Sequence, residues 1–274
     1  MRRIFDTPAP RVFTTPPQAD FLQLLAATLK SEFGQTPESL AKVTVLTPTR
    51  RAGRALAAAF TRLEDGQQAT LLPLIRPIGD VDADDPPFEP GELAGIAPEA
   101  INPVRRTFEL ARLILEKDRA QGGDMHPSGA IALAGPLAAL IDDLETEETG
   151  DVTALGETLR SLLPAHLRES ADFVSIVLTY WPRRLAELGF TDPAQRRSTL
   201  LAALADRWRE TPPPGPVIAA GSTGSIPAAA DLMSAIAHLP QGAVVLPGLD
   251  RDLDDKAWAA LESDDQHPQQ AMQA

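Results

Sequence analysis

Apolar positions change their period along this chain, and the changes mark its elements. Arg11–Thr15 is a short β-prone run closed by Pro16-Pro17, after which Phe21, Leu22, Leu25, Leu29 and Phe33 recur at helical spacing up to Gly34. Val43–Leu46 has the continuous apolar, β-branched composition of a strand buried on both faces. Thr47-Pro48-Thr49 turns it into an Ala/Arg-rich helix that reaches about Leu63 and is ended by Glu64-Asp65-Gly66. Leu71–Ile78 makes a third candidate strand. Pro73 and Pro77 withhold ladder donors there, which puts it at a sheet edge or in irregular structure.

Between Gly79 and Gly91 the chain carries Asp80, Asp82, Asp84, Asp85, Glu89 and three prolines, too little apolar surface to order itself, so an exposed acidic loop is expected. The period then becomes helical. Val104, Phe108, Ala111 and Leu115 form one stripe, and Ile131, Ala134, Leu137, Ile141 and Leu144 a second. Phe173, Ile176, Val177, Tyr180, Trp181, Leu185 and Leu188 form a third, and Leu201, Leu204 and Trp208 a fourth. Pro212-Pro213-Pro214-Gly215-Pro216 stops the helices. Val217–Ala220 reads as a buried strand, Pro227 starts a helix with Leu232, Ile236 and Leu239 inward, and Ala243–Leu246 is the next strand. Strands alternating with helices imply an α/β fold with a parallel sheet and right-handed crossovers. The expected organisation is residues 1–78 as the first part of the α/β domain, 79–102 as the acidic Pro-rich loop, 103–211 as a helical insertion and 212–274 as the return to the α/β domain. No internal repeat is evident.

Composition narrows the chemistry. A chain of 274 residues with 43% hydrophobic content buries a substantial core, and the lack of cysteine excludes disulfides, thiolate metal sites and cysteine nucleophiles. The N-terminal sequence lacks the apolar run of a signal peptide, and no stretch has the apolar length of a membrane span, so a cytoplasmic location is expected. A formal net charge of -13 opposes coating of duplex DNA by this chain, while leaving room for a local basic groove.

Each candidate motif has a plain alternative. A phosphate-binding loop needs glycines, a lysine and a hydroxyl residue at a helix start, whereas the first strand-to-helix turn here is Thr14-Thr15-Pro16-Pro17-Gln18-Ala19-Asp20, with prolines that withhold N–H groups and an acid that repels phosphate. Thr47, Thr49, Arg50 and Arg51 stand at the carboxyl end of a parallel strand, where open α/β sheets bind ligands. Two readings stand: contact with nucleic acid, or threonines that cap the helix and arginines on its solvated face. Gly221-Ser222-Thr223-Gly224-Ser225 is either an anion-binding nest or a turn capped by Ser225, and the absence of a nearby basic residue favours the capped turn. Asp250–Asp255 resembles the start of a calcium loop but has Asp255 where the turn wants glycine and Leu261 where a bidentate glutamate is needed. His126, His166, His238 and His267 lack a second ligand at metal spacing, and Ser222 is not in a nucleophile elbow. Trp181 and Trp208 read as core. No catalytic residue, cofactor site or metal site is expected.

These segments carry a family resemblance. Val43–Leu56 resembles the strand, Thr-x-Thr and basic-helix element that grips single strands in superfamily 1 helicases. Pro216–Pro227 and Val244–Asp250 resemble their Walker B strand and the strand after it, with the Walker B acids missing. Together with Leu72–Asp80, Ile101–Arg106, Pro212–Pro227 and Leu239–Asp250, the chain from about Arg11 to about Asp265 resembles the N-terminal portion of the AddB family, and Gly221–Pro227 is the most specific part. The resemblance implies a superfamily 1-type helicase-like domain with a degenerate phosphate loop and no ATPase activity. It further implies a role in double-strand break repair by homologous recombination, a partner of the AddA type and a single DNA strand held at a processed end.

The chain stops at Ala274, short of the family's length, and Gln269–Ala274 does not look like the family, so a fragment or a broken reading frame is expected, without the family's nuclease residues. A marginal, association-prone domain follows from that reading. Two rivals stand beside it: an active ATPase or helicase with a divergent phosphate loop, and a scaffold with no nucleic-acid role.

Overall fold

The computed structural model describes residues 4–63, 71–78, 95–146, 176–261 and 268–273. They divide into two units, one made mainly of Met1–Val81 and Leu201–Ala274, the other mainly of Ala94–Leu200. The acidic segment 79–91 and Phe173 of the third stripe lie outside the described residues.

The first unit is α/β. Its strands β1 (Val12–Thr14), β2 (Thr44–Thr47), β3 (Leu74–Pro77), β4 (Val217–Ala220) and β5 (Gly242–Leu246) form one five-stranded sheet in the order β1-β5-β4-β2-β3. All four pairings are parallel, with Val12 opposite Val244, Val45 opposite Ile218 and Val45 also opposite Ile75. The proline-flanked β3 is an edge strand, as its missing donors require. The central β4 is buried along its whole length, which explains its unbroken apolar run.

Helices α1 (Phe21–Phe33), α2 (Pro37–Ala41) and α3 (Arg50–Leu63) follow the early strands. α1 and α3 pack Leu25, Ala26, Leu29, Leu56, Ala59 and Phe60 against Val45, Ile218 and Ala243 of the sheet. α1 begins at Asp20, whose carboxylate accepts the Gln23 N–H at 3.1 Å, and Thr36 caps α2 through the Ser39 N–H. Near the end of the chain, Gln269 donates to the Gly248 carbonyl and accepts the Asp250 N–H, both at 2.8 Å, and Met272 is buried.

The second unit is helical: α4 (Pro103–Ala120), α5 (Pro127–Thr146), a π turn at Ile176–Tyr180, α6 (Trp181–Leu188) and the beginning of α7 (Pro193–Glu210). Its core holds Ile101, Leu110, Ala111, Ile114, Ala134, Leu137, Ile141, Trp181 and Leu185. The stripe expected on α4 is partly rotated: Ala111 is buried and Leu115 packs against the core as expected, but Val104 and Phe108 are 64% and 59% exposed, and Arg106, Leu110 and Ile114 face inward. Ile131 on α5 and Tyr180 are also exposed.

The rotation has a polar cause. Arg106 is almost buried and forks between Asp142 on α5, at 2.9 and 3.1 Å, and Asp192 at 3.0 Å, and it also donates to the Ala138 carbonyl at 3.2 Å. Asp192, 1% exposed, accepts the Trp181 indole N–H at 2.8 Å. Burial pushes the Asp192 carboxyl up, against the pull of Arg106. Arg184 on α6 adds a second tie, holding both oxygens of Glu109 on α4 and drawing the Glu109 carboxyl down through that hydrogen bond.

Glu145 stands at the margin of the Arg106 cluster, where burial first and then Asp192 and Asp142 raise its carboxyl, opposed by Arg106. The folded state therefore binds this proton more tightly than the unfolded chain does, and ionisation of Glu145 weighs against the fold. Glu145→Gln is expected to raise the melting temperature at pH 7 by about 1–2 °C. That gain fades as pH falls through the raised range and is gone near the ordinary glutamate value of about 4.3. Thermal melts of both proteins between those pH values check it, and an equal gain at every pH contradicts it.

Candidate nucleic-acid interface

β2 and β4 are hydrogen-bonded neighbours, but the chain leaves them in opposite directions: β2 leads to β3 on one side and β4 leads to β5 on the other. Loops that diverge from adjacent carboxyl ends open a crevice, the usual ligand position in an open α/β sheet. A cavity of about 300 Å³ lies there, lined by Pro48, Thr49, Ile78, Gly221, Ser222, Thr223, Ser225, Ile226 and Ala229.

Thr47 and Thr49 have different roles on the β2 side. Thr47 is 2% exposed, and its hydroxyl donates to the Thr49 carbonyl at 3.2 Å, so it shapes the turn from inside and a ligand does not reach it in this conformation. Thr49 accepts the Ala52 N–H on its hydroxyl at 3.1 Å and the Gly53 N–H on its carbonyl at 3.0 Å, which caps α3. Its hydroxyl hydrogen remains available to the crevice it lines. Arg50 is half-buried at the first position of α3 and Arg51 is exposed. The cap and the candidate contact are therefore the same residue.

On the other side, Gly221 and Gly224 have φ of 82° and 76°, a region where a side chain is strained. The Gly221 N–H donates to the Val245 carbonyl at 3.0 Å, and the Gly224 N–H to the Ser222 hydroxyl at 3.3 Å. Ser225 does not cap helix α8 (Pro227–His238) as expected. Pro227 occupies the first helical position, so the cap falls on Ile226, whose side chain makes no capping hydrogen bond. Across the crevice from this loop the fold sets Pro48 and Thr49.

The first strand-to-helix turn is unfavourable to anions. The Asp20 carboxylate occupies the α1 N-terminus, taking a donor that a phosphate would use, and Thr15 is buried. The Asp250–Asp255 stretch is a turn that runs into a short helix, Asp255–Leu261: Asp250 accepts the Asp252 N–H, and Asp254 accepts the Ala257 N–H where that helix begins. His126 and His238 are exposed and bonded to Ser128 and the Ser234 carbonyl, while His166 and His267 lie outside the described residues. Among the described residues no group of three or more His, Cys, Asp or Glu is placed to hold a metal ion, and no helix is long and apolar enough to cross a membrane.

The motif reading missed the loop partnership across the crevice and the Arg106 cluster. Adjacency of β2 and β4 depends on strand order, which no local signal reports. No protein-family model matches the chain, and no curated protein matches its sequence.

Proposed function

We propose that the α/β unit is a helicase-like frame without ATP chemistry that holds a single DNA strand across the carboxyl edge of its sheet. On this reading the protein belongs to an AddB-type subunit that docks on an AddA-type partner in cytoplasmic double-strand break repair. The observation that carries the reading is the crevice between the β2 and β4 loops, which sets Thr49 beside Ser222, Thr223 and Ser225, with Arg50 and Arg51 following at the start of α3. Hydroxyls and guanidinium groups together suit phosphate oxygens, and helix N-termini favour anions. Asp20 at the α1 N-terminus and Ala219-Ala220-Gly221 at the end of β4 support an arrangement without nucleotide hydrolysis, since neither supplies a phosphate cradle or a magnesium ligand.

The test is a double Arg50→Ala, Arg51→Ala change, with binding of a labelled single strand followed by fluorescence anisotropy over a salt series. Each lost phosphate contact lowers the salt slope by about 0.7, so a fall of about 1.4 with several-fold weaker binding is expected. An unchanged affinity and slope returns these arginines to a solvated helix face.

A further inference from the structure

The geometry points to a polyanion track that runs from the crevice along the outer face of α3, through Arg51, Arg54 and Arg62. This inference rests on the single-strand reading above and extends it from a point of contact to a path.

The first observation is the charge of the helix. All the ionisable residues of α3 are arginines, Arg50, Arg51, Arg54 and Arg62, in a chain whose net charge is -13. The second is where they lie. At about 100° per residue, Arg50, Arg51, Arg54, Ala58, Thr61 and Arg62 fall within about 120° of arc, opposite the buried Leu56, Ala59 and Phe60. Arg51, Arg54, Ala58, Thr61 and Arg62 are exposed, and the small Ala58 at the centre lets a chain approach the helix closely.

The third observation is that the stripe is unpaired, unlike several arginines elsewhere. Arg106, Arg112, Arg184 and Arg209 are held by carboxylates. Arg51, Arg54 and Arg62 make no hydrogen bond or ion pair among the described residues. A helix face that carries only one sign of charge repels itself, since like charges three or four residues apart destabilise a helix, and external anions relieve that cost. From Arg51 to Arg62 the helix rises about 16 Å, long enough to face more than one phosphate of a strand. A stripe one helix wide suits one strand, while the acidic remainder of the surface opposes a duplex. The stripe begins directly after Thr49, which lines the crevice and caps the helix.

The test uses the full chain carrying Arg54→Ala and Arg62→Ala, with Arg50 and Arg51 intact, and a labelled oligothymidylate of about 16 nucleotides. Circular dichroism confirms that the helix is retained, and Arg54→Lys with Arg62→Lys provides a charge-preserving control. The expected result is a salt slope lower by about 1.4, weaker binding of the long oligonucleotide, little change for one of about 4 nucleotides, and recovery in the lysine variant. A normal slope in this variant, alongside a reduced slope in the Arg50→Ala, Arg51→Ala protein, overturns the track and leaves the crevice reading standing. Normal slopes in both variants overturn both. Retained DNA binding with loss of a protein partner also overturns the track and makes the α3 face a protein interface.

Discussion

Arg106→Ala is expected to destabilise the helical unit by about 3–5 kcal/mol, the usual cost of removing one member of a buried ion pair. The guanidinium is the common partner of Asp142, Asp192 and the Ala138 carbonyl. Without it, Asp192 keeps the Trp181 indole and the Ala194 backbone as donors but stands in a site 1% open to water. The Asp192 carboxyl is already raised by burial, and losing Arg106 raises it further. The folded state then binds that proton far more tightly than the unfolded chain, so the deficit is full at pH 7 and shrinks as pH falls through the raised range. Hydrogen exchange read peptide by peptide is the suitable measurement, because a chain of two units need not unfold in one step. Peptides of α4 and α5 should lose protection while those of β4 and β5 keep it. A deficit under about 1 kcal/mol, or one independent of pH, contradicts this account of Arg106.

Gly221→Ala should be nearly as damaging, and in the other unit. A left-handed conformation costs an L-residue about 1–2 kcal/mol. The added methyl would also lie 3.2 Å from the Phe21 ring and 3.6 Å from Pro48 Cδ. The backbone cannot turn away, because its N–H is tied to the Val245 carbonyl. Strain and overpacking together give about 2–4 kcal/mol and a fall in melting temperature of about 5–10 °C. Displacement of Phe21 or Pro48 would also narrow the crevice, so single-strand binding should weaken in protein that is still folded. A melt within about 1 °C of the parent protein contradicts the strain argument.

The α/β unit was legible because its strands are short apolar runs bounded by proline, glycine and hydroxyl residues, signals that are local. Val43–Leu46 and Val217–Ala220 announce buried strands because both faces are covered, and Pro73 and Pro77 announce an edge because they withhold donors. Half of the α4 stripe, Val104 and Phe108, turns outward for a physical reason. Periodicity ranks residues by hydrophobicity, and Arg106 is buried by partners 36 and 86 positions away in sequence, Asp142 and Asp192. With that guanidinium drawn inward, Leu110 and Ile114 follow it and Val104 and Phe108 turn out. The candidate interface was half legible. Thr49, Arg50 and Arg51 could be named from the end of β2, but Thr47 could not be separated from them without knowing that its hydroxyl faces the turn. Ser225 was misassigned because a hydroxyl residue near a proline resembles a cap, although the proline itself fixes the cap one residue later.

The strand order also sets a timetable for synthesis. β1 is made long before β5, yet β5 is its sheet partner, with Val12 paired to Val244. At about 5–20 residues per second, the nascent chain holds Val12 and Phe13 without their ladder for about 10–50 s. β2 and β3 can pair before the helical unit is made, whereas β4 joins β2 only after it, and β5 then closes the gap between β4 and β1. A sheet whose centre arrives after its edge has high contact order and closes late. β1 is thus a waiting half-bond, exposed to other strand edges until β5 emerges to cover it.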